Sequence, residues 1–225
     1  MCNQGYIYRM KITVEHLRRN FPTIQEDPLL EDIARHGKFF SFEKDVTILT
    51  NQQYIDSVPL IIKGGVKVVR HTEDNKSLFL YFLNKGEMCP VSLVASTKRE
   101  RSKVQVKTVA PTEIISLPPE RVYFYTRRFS GWNEFTLEAF RMRFNAVLSA
   151  YEGMAFEPME DRVMAYLKGI SSICENDCLS ITHDELAIDL GASRVGISRI
   201  LKRLESNNVL NLARGEITLL DLQYS

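Results

Sequence analysis

Cysteine is scarce and scattered in this chain: Cys2, Cys89, Cys174 and Cys178 are the four among 225 residues. A disulfide-stapled secreted fold needs a denser, short-range framework, so that class is excluded. No apolar run approaches the roughly 20 residues that span a bilayer. The first residues, MCNQGYIYRMKI, lack the basic-then-apolar order of an export signal. The expectation is a soluble cytoplasmic protein with reduced thiols and no membrane partner. Charge of one sign is lacking too. The formal net charge is +1, so any attraction to nucleic acid has to come from local clustering. There is no low-complexity tract and no short-period repeat. Catalytic signatures are also missing: no Walker loop, HExxH, carboxylate dyad or nucleophile–base pair. Ser92, Ser102 and the four histidines stand without a catalytic context, and the chain is not expected to be an enzyme.

What is present is ordinary globular material, 44% hydrophobic and 25% charged, long enough for two domains. Residues 12–36 read as helical. Leu17, Phe21 and Ile24 lie at helical spacing, and Leu30, Ile33 and Ala34 follow a start at Pro28. From 39 to 117 the texture becomes β-rich: Val46–Leu49, Leu60–Ile62, Val66–Val69, Leu78–Phe82, Val104–Val106 and Ile114–Leu117. Lys63-Gly64-Gly65, Glu73-Asp74-Asn75 and Lys85-Gly86 separate several of these runs. Short strands at this spacing predict a compact β-barrel or β-roll. Pro118-Pro119 closes it and is placed to start a helix.

Residues 131–155 read as one long helix. Leu137, Phe140, Phe144, Val147, Tyr151 and Met154 recur at alternating steps of three and four, a heptad seam that wants a partner. Packing on its own β domain is one solution. Self-association into a homodimer is preferred, because the seam lasts about three heptads and a new domain follows it. Gly153 and Pro158 bracket a hinge at about 155–158. Val163, Tyr166, Leu167 and Ile170 then mark another helix, and 171–181 reads as a turn and a short extended piece. The domains are therefore 1–130, 131–155 and 156–225.

The segment THDELAIDLGASRVGISRILKRLE, 182–205, carries the function. Thr182 with Glu185 three residues on is a capping box. Leu186, Ala187 and Leu190 give one apolar face. Gly191 stands where the first helix must stop and turn, and Ser193 is placed to cap a second helix. There Ile197, Ile200, Leu201 and Leu204 form a buried stripe, while Arg194, Ser198 and Lys202 share another face with Arg199 beside them. Between 193 and 214, Arg194, Arg199, Lys202, Arg203 and Arg214 oppose Glu205 alone. Val209–Leu212, Arg214-Gly215 and Ile217–Leu220 read as a hairpin with Arg214 at its tip. Together these predict a winged helix-turn-helix whose second helix enters the major groove of double-stranded DNA.

On these residues the chain resembles the Crp–Fnr family of transcription regulators, the cyclic-AMP receptor protein and its relatives. The resemblance runs over nearly the whole length. It is strongest in Gly191-Ala192-Ser193-Arg194 and Ser198-Arg199-Ile200-Leu201-Lys202, and is recognisable in Ile62-Lys63-Gly64-Gly65-Val66, Gly86-Glu87 and Glu100-Arg101-Ser102. It implies an α+β architecture: a cyclic-nucleotide-binding-like β-roll, a long dimerisation helix and a C-terminal winged helix-turn-helix. It also implies that Arg194 and Arg199 read guanine and that Thr182 and His183 touch phosphate. Ser193, Val195, Ser198, Lys202 and Arg214 complete the expected DNA-binding set. RNA polymerase joins the partners if the regulator is an activator. The family often has a glutamate that reads cytosine where this chain has Val195, which can contact only a thymine methyl, so the recognised sequence should differ. Val195 and the helix-loosening Gly196 also leave a second reading open, a ligand-binding or interaction module with vestigial DNA binding.

The effector end resembles the family only in part. Arg101-Ser102 matches the phosphate half of the family's cyclic-nucleotide site and is the candidate effector pair. The ribose half, a Gly-Glu turn, is replaced by Met88-Cys89-Pro90-Val91-Ser92, and Pro90 removes a backbone N–H. Cyclic AMP is therefore not the expected effector. No metal or cofactor is predicted. An iron–sulfur cluster needs about four gathered thiolates. Cys174 and Cys178, at metal-like or redox-pair spacing, supply two. Haem has only His36, His71, Cys89 and Pro90 as conceivable ligands, and nothing in the sequence groups them.

Overall fold

The N-terminal region expected to be helical over 12–36 is two helices, α1 (Val14–Asn20) and α2 (Asp27–His36), separated by the non-helical residues 21–26. The Thr13 hydroxyl caps α1 by accepting from His16 N–H at 3.2 Å, and Pro28 sits in the first turn of α2, where its missing N–H costs nothing. The computed structural model describes residues 12–71, 77–98 and 100–220, and for 97, 154 and 155 the backbone alone. The expected turn at Glu73-Asp74-Asn75, and Cys2, lie outside the described residues.

Next come β1 (Lys38–Phe42), β2 (Thr47–Leu49), β3 (Val58–Lys63), β4 (Gly65–His71) and β5 (Ser77–Asn84), then α3 (Pro90–Lys98), β6 (Gln105–Thr108) and β7 (Thr112–Leu117). The strands form two antiparallel sheets, in the orders β1-β7-β3 and β2-β6-β4-β5. Between them lies an apolar interior that includes Phe42, Ile61, Val66, Val68, Leu83 and Val106. This is the expected roll, with one correction. Helix α3 lies in the β-rich region, between the runs expected at Leu78–Phe82 and Val104–Val106, where no helix was expected. Its buried face is built from small residues, Ser92, Ala95 and Ser96, while Val91 and Val94 point to solvent. The hydrophobic pattern therefore points the wrong way.

Helices α4 (Pro119–Arg128) and α5 (Ser130–Phe156) follow Pro118-Pro119. Along its first half α5 buries Trp132, Phe135 and Ala139 against Phe21, Leu29 and Tyr125 of the N-terminal layer. Further on, Arg143 donates to the Phe82 carbonyl and pairs with Glu87 at 3.0 Å. A different face stays bare: Leu137 is 72% exposed, Phe144 65% and Tyr151 66%, with Phe140 and Val147 also exposed. The Met154 side chain falls outside the described residues. One helix thus uses one face on its own roll and leaves its heptad face unpartnered.

Helix α5 runs through Gly153 to Phe156, and the chain breaks at Glu157-Pro158. Helix α6 (Met159–Cys174) comes next, then β8 (Cys178–Leu179), α7 (His183–Leu190), α8 (Arg194–Ser206), β9 (Leu210–Ala213) and β10 (Glu216–Leu219). The end of α6 is a second correction, since a turn was expected from 171. The Ser171 hydroxyl, donating to Asp177 at 2.6 Å, lies within the last turns, and Glu175 ends the helix in the left-handed region at φ 49°. The short extended piece is β8, which joins the wing hairpin in a sheet of order β8-β10-β9.

The C-terminal core includes Val163, Leu167, Leu186, Ile197, Leu201, Leu204 and Ile217. It is joined to the roll through β5: Phe79 and Phe82 lie 5.0 Å and 5.2 Å from the Tyr166 ring. Gly169 lets the Phe82 ring sit where a Cβ would come within 2.7 Å of it.

Leu201 is fully buried where α8 meets its own domain. Leu201→Ala should destabilise the C-terminal domain by about 2–5 kcal/mol, through lost transfer energy and a residual cavity. Urea unfolding followed by hydrogen exchange in α8 measures it.

Candidate nucleic-acid interface

The helix pair is set by local chemistry. Thr182 Oγ1 accepts from Glu185 N–H at 3.2 Å, and Glu185 Oε2 accepts from Thr182 N–H at 2.8 Å, so the capping box is complete. Gly191 takes φ 64° and ends α7, a backbone state that a Cβ penalises. Arg162 donates to the Leu190 carbonyl at 3.1 Å, satisfying one of the bare carbonyls at the end of α7. Ser193 Oγ then accepts from Gly196 N–H at 3.1 Å and starts α8.

Ile197, Leu201 and Leu204 are buried and Ile200 is half-buried, so the expected stripe holds α8 to the core. The opposite face is open. Arg194, Val195, Arg199 and Lys202 are exposed, Val195 by 60%. Ser198 is half-buried and bonded to His183 Nδ1 at 2.9 Å, which ties the start of α7 to the middle of α8. Thr182 and Ser193 are exposed at the two caps. Arg214 is exposed between β9 and β10, whose pairing Ala213↔Glu216 leaves Arg214-Gly215 as the tip. The structure therefore brings the expected residues onto one pair of helices and a wing.

The charge pattern is less one-sided than the linear count. Arg194 pairs with Asp184 at 3.2 Å, and Arg203 pairs with Glu160 from α6. Glu205 accepts from Leu212 N–H at 2.9 Å, so it serves the junction with the wing. Among the described residues, Arg199, Lys202 and Arg214 have no ion-pair partner. They are the free cations of this surface. The acids that matter, Asp184 and Glu160, lie outside the 193–214 window and were missed by counting within it.

A second missed group is buried. Asp189, only 5% exposed, accepts from the Tyr166 hydroxyl and pairs with Lys67 Nζ from β4. Burial, reinforced by the Asp189 carboxylate, holds the Tyr166 phenol well above its usual range, so it stays a donor. The sequence carries a signal for this: Asp189 lies beside Leu190 and three residues after Leu186, so an acid falls near the apolar face of α7.

The candidate effector pair stands beside a cavity, against Gln53 and Tyr54 of its wall. A cavity of about 370 Å³ opens into the roll, lined by Phe40, Leu49, Ile61, Val66, Leu83 and Cys89 among others. Arg101 and Ser102 are not in its wall. The Ser102 hydroxyl donates to the Val104 carbonyl at 2.6 Å, and the exposed Arg101 guanidinium lies 4.8 Å over the Tyr54 ring. The pair is engaged in turn and surface contacts.

The conceivable haem ligands are equally dispersed. His36 contacts Asp32 and Arg121, His71 contacts Gln105, and Cys89 is buried in the roll. Cys174 donates to the Val109 carbonyl at 3.8 Å, with its thiol pushed up by burial, and Cys178 is exposed. The three described cysteines are free thiols.

Residues 161–224 match the family model of the Crp-like helix-turn-helix domain. The chain is similar to the cAMP-activated global transcriptional regulator CRP of Escherichia coli O6:H1, 26% identical over 83% of this chain and 91% of that one. It is also similar to the global nitrogen regulator of Synechocystis, 21% identical over 79% of this chain and 82% of the other. In structure it resembles a Crp/Fnr-family transcriptional regulator from Eubacterium rectale. That match has a TM-score of 0.72 and 23% identity, covering 88% of this chain and 92% of the other.

Thr182→Ala removes the hydroxyl half of the capping box and should cost about 1 kcal/mol. The urea midpoint of the C-terminal domain should fall, with no change in the roll.

Proposed function

We propose that the chain is a Crp–Fnr family transcription regulator, as its Crp-like helix-turn-helix domain and its relatives support, and that it acts as a sequence-specific homodimer with α8 as its recognition helix. The observation that carries this is the division of α8. One face is locked by Ile197, Leu201 and Leu204, and the other presents Arg194, Val195, Arg199 and Lys202 to solvent. Arg199 is the free arginine, and a guanidinium there reads guanine through O6 and N7. Arg194 exchanges Asp184 for a base or phosphate. That exchange costs little, because exposed ion pairs are worth at most about 1 kcal/mol. Val195 offers a methyl surface to thymine. Thr182 and His183 at the start of α7, with Lys202 and Arg214, hold phosphate.

The bare heptad face of α5 supports the dimer. Leu137, Phe144 and Tyr151 recur at seven-residue intervals and are each about two-thirds exposed or more. A continuous apolar stripe of this kind marks an association surface rather than scattered surface residues. Two copies joined along α5 place two recognition helices for half-sites about one DNA turn apart.

The cavity supports control by a small effector. Its volume lies within the range of small-molecule sites, and its wall joins apolar residues to Lys38, Gln53, Asp56 and Ser92, which suits a small effector with an apolar body and a few polar groups. Repacking of α5 against the roll, with the Glu157-Pro158 break as hinge, then re-aims α8.

Selection of bound sequences from a random duplex pool, followed by gel shift, tests the reading. A preferred sequence is expected, and no enrichment would overturn it. Arg199→Ala should weaken binding to the selected site by about 1–3 kcal/mol and relax preference at one position per half-site. Leu137→Glu with Phe144→Glu touches no buried residue and should convert a sedimenting dimer to monomer. A wild-type protein that sediments as a monomer at micromolar concentration would rule out the dimer.

A further inference from the structure

Strands β4 and β5 have two faces with different neighbours. Val66 and Leu83 are register partners, and both line the cavity. The next pair along, Lys67 and Phe82, points the other way, because side chains alternate across a strand. Lys67 reaches Asp189 of α7, and Phe82 packs on Tyr166 and Gly169 of α6. Lys67 is 14% exposed and Asp189 is 5% exposed, so the ion pair is shielded from solvent and salt. Tyr166 closes the group by donating to the same carboxylate oxygen that Lys67 contacts.

We propose that Lys67, Tyr166 and Asp189 form an interdomain latch, and that the β4–β5 ribbon couples it to the cavity. The latch holds the C-terminal domain against the outer face of the ribbon whose inner face is the cavity wall. A shift of the Val66–Leu83 pair, by an occupant or by its loss, is carried to Lys67 and Phe82 through the same two backbones. β4 is paired to β5 from Gly65 to His71 and to β6 at Val66–Val69, so Val66 and Lys67 are held between two strands and move with them. A buried charge pair suits a latch: intact it is neutral to its surroundings, but once one partner moves it leaves an uncompensated charge. The docked arrangement leaves Arg199 and Lys202 of α8 exposed, so the latch sets where the recognition helix points without covering it.

The proposal rests on the C-terminal domain being the DNA-binding unit, but its test needs no DNA. Hydrogen exchange is measured by mass spectrometry on the whole protein, wild type against Lys67→Met and Asp189→Asn. Peptides covering 77–84 and 183–191 should exchange about tenfold faster or more in both variants, because undocking uncovers them. Peptides within 197–205 should keep their protection, which shows that the domain remains folded. Unchanged exchange at 77–84 and 183–191 would overturn the latch. If Lys67→Met unfolds the domain, Asp189→Asn, which keeps an acceptor for Tyr166, decides the matter alone.

The coupling is tested from the cavity side. Leu83→Ala, on the ribbon, should raise exchange in 183–191, while Ile114→Ala, on the opposite sheet, should not. Equal effects, or none from Leu83→Ala, would overturn coupling through the ribbon. Selection of DNA sequences is a separate measurement, so a failed latch and a failed assignment of DNA binding remain distinguishable.

Discussion

The aromatic contact between β5 and α6 is the joint on which the rest of the molecule depends. Phe79 and Phe82 belong to the roll by backbone and to the C-terminal core by side chain. Tyr166 meets both rings edge-on or tilted, the geometry aromatic pairs prefer. Gly169 allows the close approach, and Asp189 and Lys67 add a directional polar lock beside it. Because α6 leads directly into β8, α7 and α8, fixing α6 on β5 also fixes where α8 points relative to α5.

Helix α5 is the other constraint, and it serves two purposes with two faces. Trp132, Phe135 and Ala139 bury one face against the N-terminal layer, and Arg143 ties the helix to Phe82 of the same ribbon. The bare heptad face is then free for a second copy. The two alternatives for this helix, packing on its own domain or self-association, are therefore compatible, since they use different sides of it.

On the exposed face of the helix-turn-helix, position in space changes the electrostatics that a linear count suggests. Five cations opposed one acid between residues 193 and 214, yet Arg194 and Arg203 are paired with acids from other helices. Arg199, Lys202 and Arg214 carry the uncompensated charge. A focused positive surface arises on a chain whose formal net charge is +1.

The helix-turn-helix was legible because its determinants are local: caps at Thr182 and Ser193, a left-handed glycine at 191, and apolar residues at helical spacing. Those interactions span three to four residues, so they survive in one dimension. The roll, the long helix, the break before Pro158 and the wing were legible for the same reason. Helix α3 was not, because its buried face is Ser and Ala and its valines point outward. Where Arg101 and Ser102 stand relative to the cavity was not legible, because a two-residue match says nothing about which wall of the roll it reaches; they lie behind Gln53 and Tyr54 of that wall. The cavity, the Arg194–Asp184 pair and the Lys67–Tyr166–Asp189 group join residues far apart in sequence or on different helices. Only packing decides such contacts, since they form where two finished surfaces meet. The sequence by itself determined the elements whose caps and apolar spacing are local, and the faces those elements bury. The tertiary structure decided which charges stay free and how the helix-turn-helix is held to the roll.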